Sequence, residues 1–152
     1  MLRQTLSEAL KTAMKARDQR ATSTLRMILA ALKDKDIAAR GTGNAEGIGE
    51  PDILGMLQGM VKQRRDSITL YQQGNRPDLV EQEAAEIVII EGFLPQQLSG
   101  EAMGAAIRHT IGEIGAAGIK DMGRTMAALK ERYSGQMDFQ KASAEVKQLL
   151  TA

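Results

Sequence analysis

Residues 53–71 read Ile-Leu-Gly-Met-Leu-Gln-Gly-Met-Val-Lys-Gln-Arg-Arg-Asp-Ser-Ile-Thr-Leu-Tyr. Ile53, Leu57, Met60, Val61, Ile68 and Tyr71 recur every three or four positions, the period of one helix face. Arg64 falls in the middle of that stripe on a wheel of about 100° per residue. Glu50 and Pro51 just upstream suit a first helical turn, where a proline loses no hydrogen bond and an acid meets the positive end of the helix. Gly74 marks the end.

The same reading extends in both directions. Leu2, Leu6, Ala9, Leu10, Ala13 and Met14 give a first helix. Asp18 opens a second with Leu25, Ile28, Leu29, Leu32 and Ile37 inward. The segment from Arg40 to Gly49 holds Gly41, Gly43, Gly47 and Gly49 and is expected to be a flexible loop. Pro77 and Asp78 begin a fourth helix, with Leu79, Ile87, Ile90 and Leu94 inward. Leu94-Pro95-Gln96-Gln97-Leu98-Ser99 then marks a boundary, because Pro95 disfavours helix before it and Ser99 is a good N-cap. Three short helices follow. Their inward faces are Met103, Ile107, Ile111 and Ile114; Met122, Met126, Leu129 and Tyr133; and Phe139, Ala142, Val146, Leu149 and Leu150. Asp121 and Asp138 are the expected caps of the last two. The expected fold is therefore all-α, with an N-terminal four-helix unit over 1–95 and a three-helix tail domain over 96–152.

Composition bounds the function. The 152 residues carry 20 Lys+Arg against 19 Asp+Glu, no Cys and a single His. A disulfide framework, a thiolate metal site and a Cys nucleophile are excluded. The first residues are charged, without the apolar run of about 7–15 residues of a signal peptide. No stretch approaches the about 18 consecutive apolar residues of a membrane span. A cytoplasmic protein without a membrane partner is expected.

The even charge balance hides an asymmetry. Residues 1–35 hold Arg3, Lys11, Lys15, Arg17, Arg20, Arg26, Lys33 and Lys35 against Glu8, Asp18 and Asp34, whereas residues 77–95 hold five acids and no base. A basic hairpin packed beside an acidic helix would largely neutralise itself; a hairpin left open would attract RNA phosphates. The first is the expected arrangement. Glu83 falls among Leu79, Ile87, Ile90 and Leu94, with Glu86 at the stripe's edge. An Arg and a carboxylate that both face a core must pair, so Arg64 is expected to pair with Glu83 or Glu86 and to set the register of the third and fourth helices.

No active site emerges. Gly41-Thr42-Gly43-Asn44-Ala45-Glu46-Gly47 lacks the spacing, the preceding strand and the Gly-Lys-Ser/Thr of a phosphate-binding loop. His109 lies on a polar helix face. Glu81, Glu83, Glu86 and Glu91 have neither His partners nor an Asp-rich loop to make a metal site. No catalytic residue, metal or cofactor is expected. Tyr71, Phe93, Tyr133 and Phe139 fall on or near core stripes, which argues against base stacking. RNA contacts would have to come from bases such as Lys120, Arg124, Lys130, Arg132, Lys141 and Lys147, which lie off the apolar stripes.

Five strings, in order along the chain, resemble one family. They are Thr24–Lys33 (TLRMILAALK), Lys62–Ile68 (KQRRDSI), Glu83–Ile87 (EAAEI), Phe93–Ser99 (FLPQQLS) and Lys120–Met126 (KDMGRTM). The chain is similar to the stand-alone YqeY-like branch of the GatB/YqeY family. That resemblance implies kinship with the helical and tail portions of the GatB component of the glutamine-dependent aspartyl/glutamyl-tRNA amidotransferase, a carbon–nitrogen ligase. In that enzyme the tail recognises tRNA, and a separate cradle domain activates the misacylated end with ATP and Mg²⁺. No such cradle is present here, so the resemblance implies a tRNA-associated module without catalysis of its own. Lys120, Arg124, Lys130 and Arg132 are its expected tRNA contacts, and tRNA or a translation or amidotransferase component its expected partner. A helical protein–protein adapter in translation is the alternative, and an independent amidotransferase a third. Two departures from the family pattern stand out: Ala127 follows Met126 where glycine is frequent, and Gly135-Gln136-Met137-Asp138 replaces Gly-Arg-Ala-Asp.

Overall fold

A computed structural model describes residues 1–152 and contains helices, turns and loops but no strand. The chain divides into two compact units, Met1–Leu94 and Pro95–Ala152. The first holds α1 (Leu2–Lys15), α2 (Gln19–Gly41), α3 (Glu50–Gln73) and α4 (Pro77–Glu91). The second holds α5 (Gly100–Ile114), a 3₁₀ turn (Ile119–Asp121), α6 (Met122–Arg132) and α7 (Phe139–Thr151).

In the first unit the apolar stripes meet in one core of Leu6, Leu25, Ile28, Leu32, Ile53, Leu57, Val61, Ile87 and Ile90, all buried. Phe93 packs against it. Removing a side chain such as Leu57 from a core of this kind costs about 2–5 kcal/mol. Asp18 caps α2 by accepting the Ala21 N–H at 3.0 Å, and Pro51 and Pro77 sit in the first turns of α3 and α4.

Two inward assignments on these helices fail. Met14 is 49% exposed and Ile37 54% exposed. Ile37 lies about 180° around α2 from Ile28. The inward position is its neighbour Asp36, about 20° from Leu25 on the same wheel, and Asp36 is buried. Its carboxylate accepts both Arg3 guanidinium N–H groups and the Ile48 backbone N–H at 3.0 Å, while Arg3 also donates to the Ile48 carbonyl at 2.6 Å.

This constellation corrects the reading of the Gly-rich loop. Its last residues are fastened rather than free, because Asp36 and Arg3 hold both polar backbone groups of Ile48. Gly47 is buried with φ +87°, and a Cβ there would collide with the Asp36 carboxylate. Only glycine satisfies both constraints. Glu50 adds a second tie by accepting the Leu2 N–H at 2.7 Å.

The α3–α4 contact contains a buried ion pair. Arg64 Nε donates to Glu86 Oε2 at 2.9 Å, with the two residues 6% and 8% exposed. A further guanidinium nitrogen donates to the Met60 carbonyl at 3.1 Å. Nearby, Arg65 bonds Glu91 at 2.8 Å on the surface.

The second unit has its own core of Met103, Ile107, Leu129, Met137, Ala142, Val146 and Leu150, with Tyr133 and Phe139 packed against it. Leu149, expected inward, is 38% exposed. Asp138 caps α7 through the Gln140 and Lys141 N–H groups. Asp121 does not cap α6 with its side chain. Its carboxylate instead accepts the Ala117 N–H at 2.9 Å and an Arg124 N–H at 3.2 Å, which closes the loop after α5. The segment after Pro95 is folded into this unit: the Leu98 N–H bonds the Gln136 carbonyl, and the Gln97 amide bonds the Gly135 carbonyl. Met137, where the family pattern has alanine, is fully buried. That departure enlarges the tail core.

Three outcomes are expected. Arg3 first, then the Ile48 N–H, lowers the Asp36 carboxyl to about 2, below an ordinary Asp of about 4. A depressed acid stabilises the fold fully above its unfolded pKa and loses that contribution as pH falls through the folded one. Thermal melts should therefore find Asp36→Asn less stable at neutral pH, with the gap to the natural chain closing as pH drops from about 4 to about 2. For the buried pair, Arg64→Met alone should lose about 3–5 kcal/mol in urea unfolding, whereas Arg64→Met with Glu86→Leu should recover most of it. Thr24 Oγ1 is buried without a hydrogen-bond partner, so Thr24→Val should raise stability by about 1 kcal/mol.

Candidate nucleic-acid interface

Within the second unit the four tail bases stand in two different situations. Lys120, in the 3₁₀ turn, and Lys130, on α6, are exposed and form no ion pair. Arg124 is exposed but committed. It donates to the Ile114 carbonyl at 2.7 Å and to Asp121 at 3.2 Å. The Ile114 carbonyl is one of the orphan acceptors at the end of α5, so Arg124 serves that helix terminus as a cap. The Asp121 carboxyl is lowered by the Ala117 N–H and also by Arg124. Arg132 pairs with Glu113, whose carboxylate also lies 3.4 Å from His109 Nε2. The full cationic charge facing solvent in this group therefore comes from Lys120 and Lys130.

In the first unit Arg64 is brought to Glu86, while Glu83 remains partly buried with no hydrogen bond to Arg64. Burial first, then the neighbouring Glu86 charge, raises the Glu83 carboxyl, and Arg64 only partly offsets them. A raised acid costs stability as pH climbs past its unfolded pKa, the opposite sign to Asp36. The four glutamates of α4 do not assemble a group of three side chains that could hold a metal ion.

The expected neutralisation of the basic hairpin by α4 does not occur. Glu86 and Glu91 take Arg64 and Arg65 of α3, and Asp78 takes Arg76. On α1 and α2, Arg3 is matched by Asp36. Lys11, Lys15, Arg17, Arg20, Arg26, Lys33 and Lys35 are all exposed and none forms an ion pair. The physical reason is geometric: α4 lies along α3, and its Glu86 and Glu91 reach bases of that helix. These seven bases are the cationic surface that sequence reasoning assigned to internal pairing.

The aromatic side chains stay with the cores. Tyr71, Phe93, Tyr133 and Phe139 are all partly buried, so nothing offers a flat stacking platform for bases. Both units present exposed cationic side chains at their surfaces. No helix is long and apolar enough to cross a membrane.

Asp36 is the buried functional group that sequence reasoning missed. The signal was present: Asp36 stands on an apolar stripe in the way that made Arg64 conspicuous, four residues after Leu32.

Comparison with known proteins places this architecture. The chain is 37% identical over 91 residues to "Altered inheritance of mitochondria protein 41, mitochondrial" of Lachancea thermotolerans, covering 60% of this chain and 46% of that protein. It is 35% identical over 89 residues to the protein of the same name in Vanderwaltozyma polyspora, 59% of this chain and 46% of that one. The Saccharomyces cerevisiae protein of that name is 34% identical over 87 residues, 57% of this chain and 45% of that one. The matched stretch thus spans about half the length of these curated relatives. A family model described as "Yqey-like protein" matches residues 3–150. Seven helices in two units, the five strings and a match over nearly every residue have one conclusion: the chain belongs to the YqeY-like family.

Proposed function

We propose that the chain is a tRNA-associated module, linked to glutamine-dependent tRNA amidotransferase systems and without catalysis of its own. The observation that carries this reading is the partnering of charge. Arg64, Arg124 and Arg132 are held by acids, whereas Lys120 and Lys130 in the second unit and seven bases of the α1–α2 hairpin in the first are exposed without an ion pair. Exposed cations released from partners are what a polyphosphate backbone needs, since each phosphate neutralised frees condensed counterions. With the aromatic side chains packed inward, recognition rests on phosphate position and shape.

The cytoplasm is the proposed place of action, while the yeast relatives are named for mitochondria, which also carry out translation. An adapter role is less well supported. The exposed Leu70 and Val88 are single apolar residues of a kind common on soluble surfaces.

Binding of unfractionated tRNA to the purified chain should weaken steeply as salt rises. Replacing Lys120, Arg124, Lys130 and Arg132 together by Ala should lower affinity and flatten the slope of log K against log salt. Most of that effect should reside in Lys120 and Lys130, each worth about 0.7–0.9 in slope. Arg124→Ala should mainly lower the melting temperature, because it uncaps α5. Undetectable affinity at low salt, or a slope unmoved by the four changes, would sink the tail assignment.

A further inference from the structure

The turn between α1 and α2 carries a more specific feature than a diffuse basic surface. An open groove of about 520 Å³ is lined by Met14, Arg17, Gln19, Thr22, Ser23 and Arg26. Two arginines, a threonine, a serine and a glutamine line a single depression, and no acid lines it. Both arginines are exposed and unpaired. The nearby acid of the turn, Asp18, is engaged at the Ala21 N–H.

Arg17 is also strained. The helices α1, α2 and α3 end in one hydrogen-bond pattern. The N–H of a residue just past the helix bonds back five positions: Asp18 to Ala13 at 3.0 Å, Asn44 to Ala39 at 3.0 Å and Arg76 to Tyr71 at 2.9 Å. The N–H before it bonds back three: Arg17 to Met14, Gly43 to Arg40 and Asn75 to Gln72, each at 3.2 Å. This motif demands a positive φ at its middle residue. Gly43 at +100° and Asn75 at +54° are the residue types that accept it cheaply, whereas Arg17 at +56° is not. Backbone strain of this kind is held where the side chain does something a glycine cannot.

We propose that the α1–α2 groove binds a phosphate of an RNA backbone, with Arg17 and Arg26 as its two charged walls and Gln19, Thr22 and Ser23 as neutral donors. Guanidinium forks match phosphate oxygens in two-point hydrogen bonds, and hydroxyls and amides complete such contacts in nucleic-acid interfaces. The only apolar wall is Met14, so the groove lacks the insertion wedge a membrane surface would use. The choice of RNA as the source of the phosphate rests on the reading above, but the site lies in the other unit and stands or falls separately.

The test uses the full chain and unfractionated tRNA. Arg17→Gly should melt at a higher temperature, because the strain is relieved, and yet bind tRNA several-fold more weakly. Arg17→Gly with Arg26→Ala should lose about tenfold or more in affinity and flatten the log K against log salt slope by about 2. If that double variant keeps the natural affinity and slope, or the natural chain binds no tRNA, the proposal is overturned. It is equally overturned if the double variant loses only binding to phosphatidylglycerol vesicles or to polyglutamate. The variant lacking Lys120, Arg124, Lys130 and Arg132 separates the two sites. Unchanged binding there contradicts the tail assignment alone, and a loss confined to it contradicts the groove.

Discussion

A charged pair sealed between two apolar helix faces is the constraint on which the first unit depends. Arg64 and Glu86 sit in stripes whose other members are Met60, Val61, Ile87 and Ile90. Such a pair is poor as a source of net stability, since desolvation consumes much of the attraction. Its effect is on alternatives: sliding or rotating α4 along α3 would strand an arginine and a carboxylate in a hydrocarbon environment. Helix packing alone tolerates small shifts; a buried pair with a further bond to the Met60 carbonyl does not.

That internal use of charge has an external consequence. Glu86 and Glu91 of α4 go to Arg64 and Arg65 of α3, and no acid of α4 pairs with a base of α1 or α2. Arg3 finds Asp36, and the remaining seven bases of the hairpin face water. A chain that is nearly neutral as a whole therefore carries a strongly positive hairpin. In the second unit the sorting is tighter, with Arg124 on the α5 terminus and Arg132 on Glu113. Of the four bases expected to contact tRNA, Lys120 and Lys130 are the ones left without an ion pair.

Much of this was legible in the sequence, and the failures are instructive. The helix stripes, the Asp18 and Asp138 caps, and the oddity of an arginine at position 64 all follow from period and residue chemistry. Ile37 was misassigned because hydrophobicity outweighed phase, although Asp36 held the inward position. Its partner Arg3 lies 33 residues away, and local periodicity carries no information on such pairs. The Gly-rich loop looked free for the same reason, since what fastens Ile48 comes from α1 and α2. Pairing of the hairpin with α4 failed because net charge per segment does not say which neighbour a carboxylate reaches. Arg17 was invisible as a special residue, because its strain is a property of φ and not of composition.

The central claim is that buried charge builds the units and unpaired charge binds the ligand. A ¹⁵N-labelled chain titrated with a short RNA hairpin reads both classes of residue at once by backbone amide shifts. The account predicts that signals from Met14–Met27 and Lys120–Lys130 move with RNA and return when salt is raised, while those of Arg3, Asp36, Ile48, Arg64 and Glu86 stay in place. Shifts centred on Arg64 and Glu86, or none at either basic region, would contradict it.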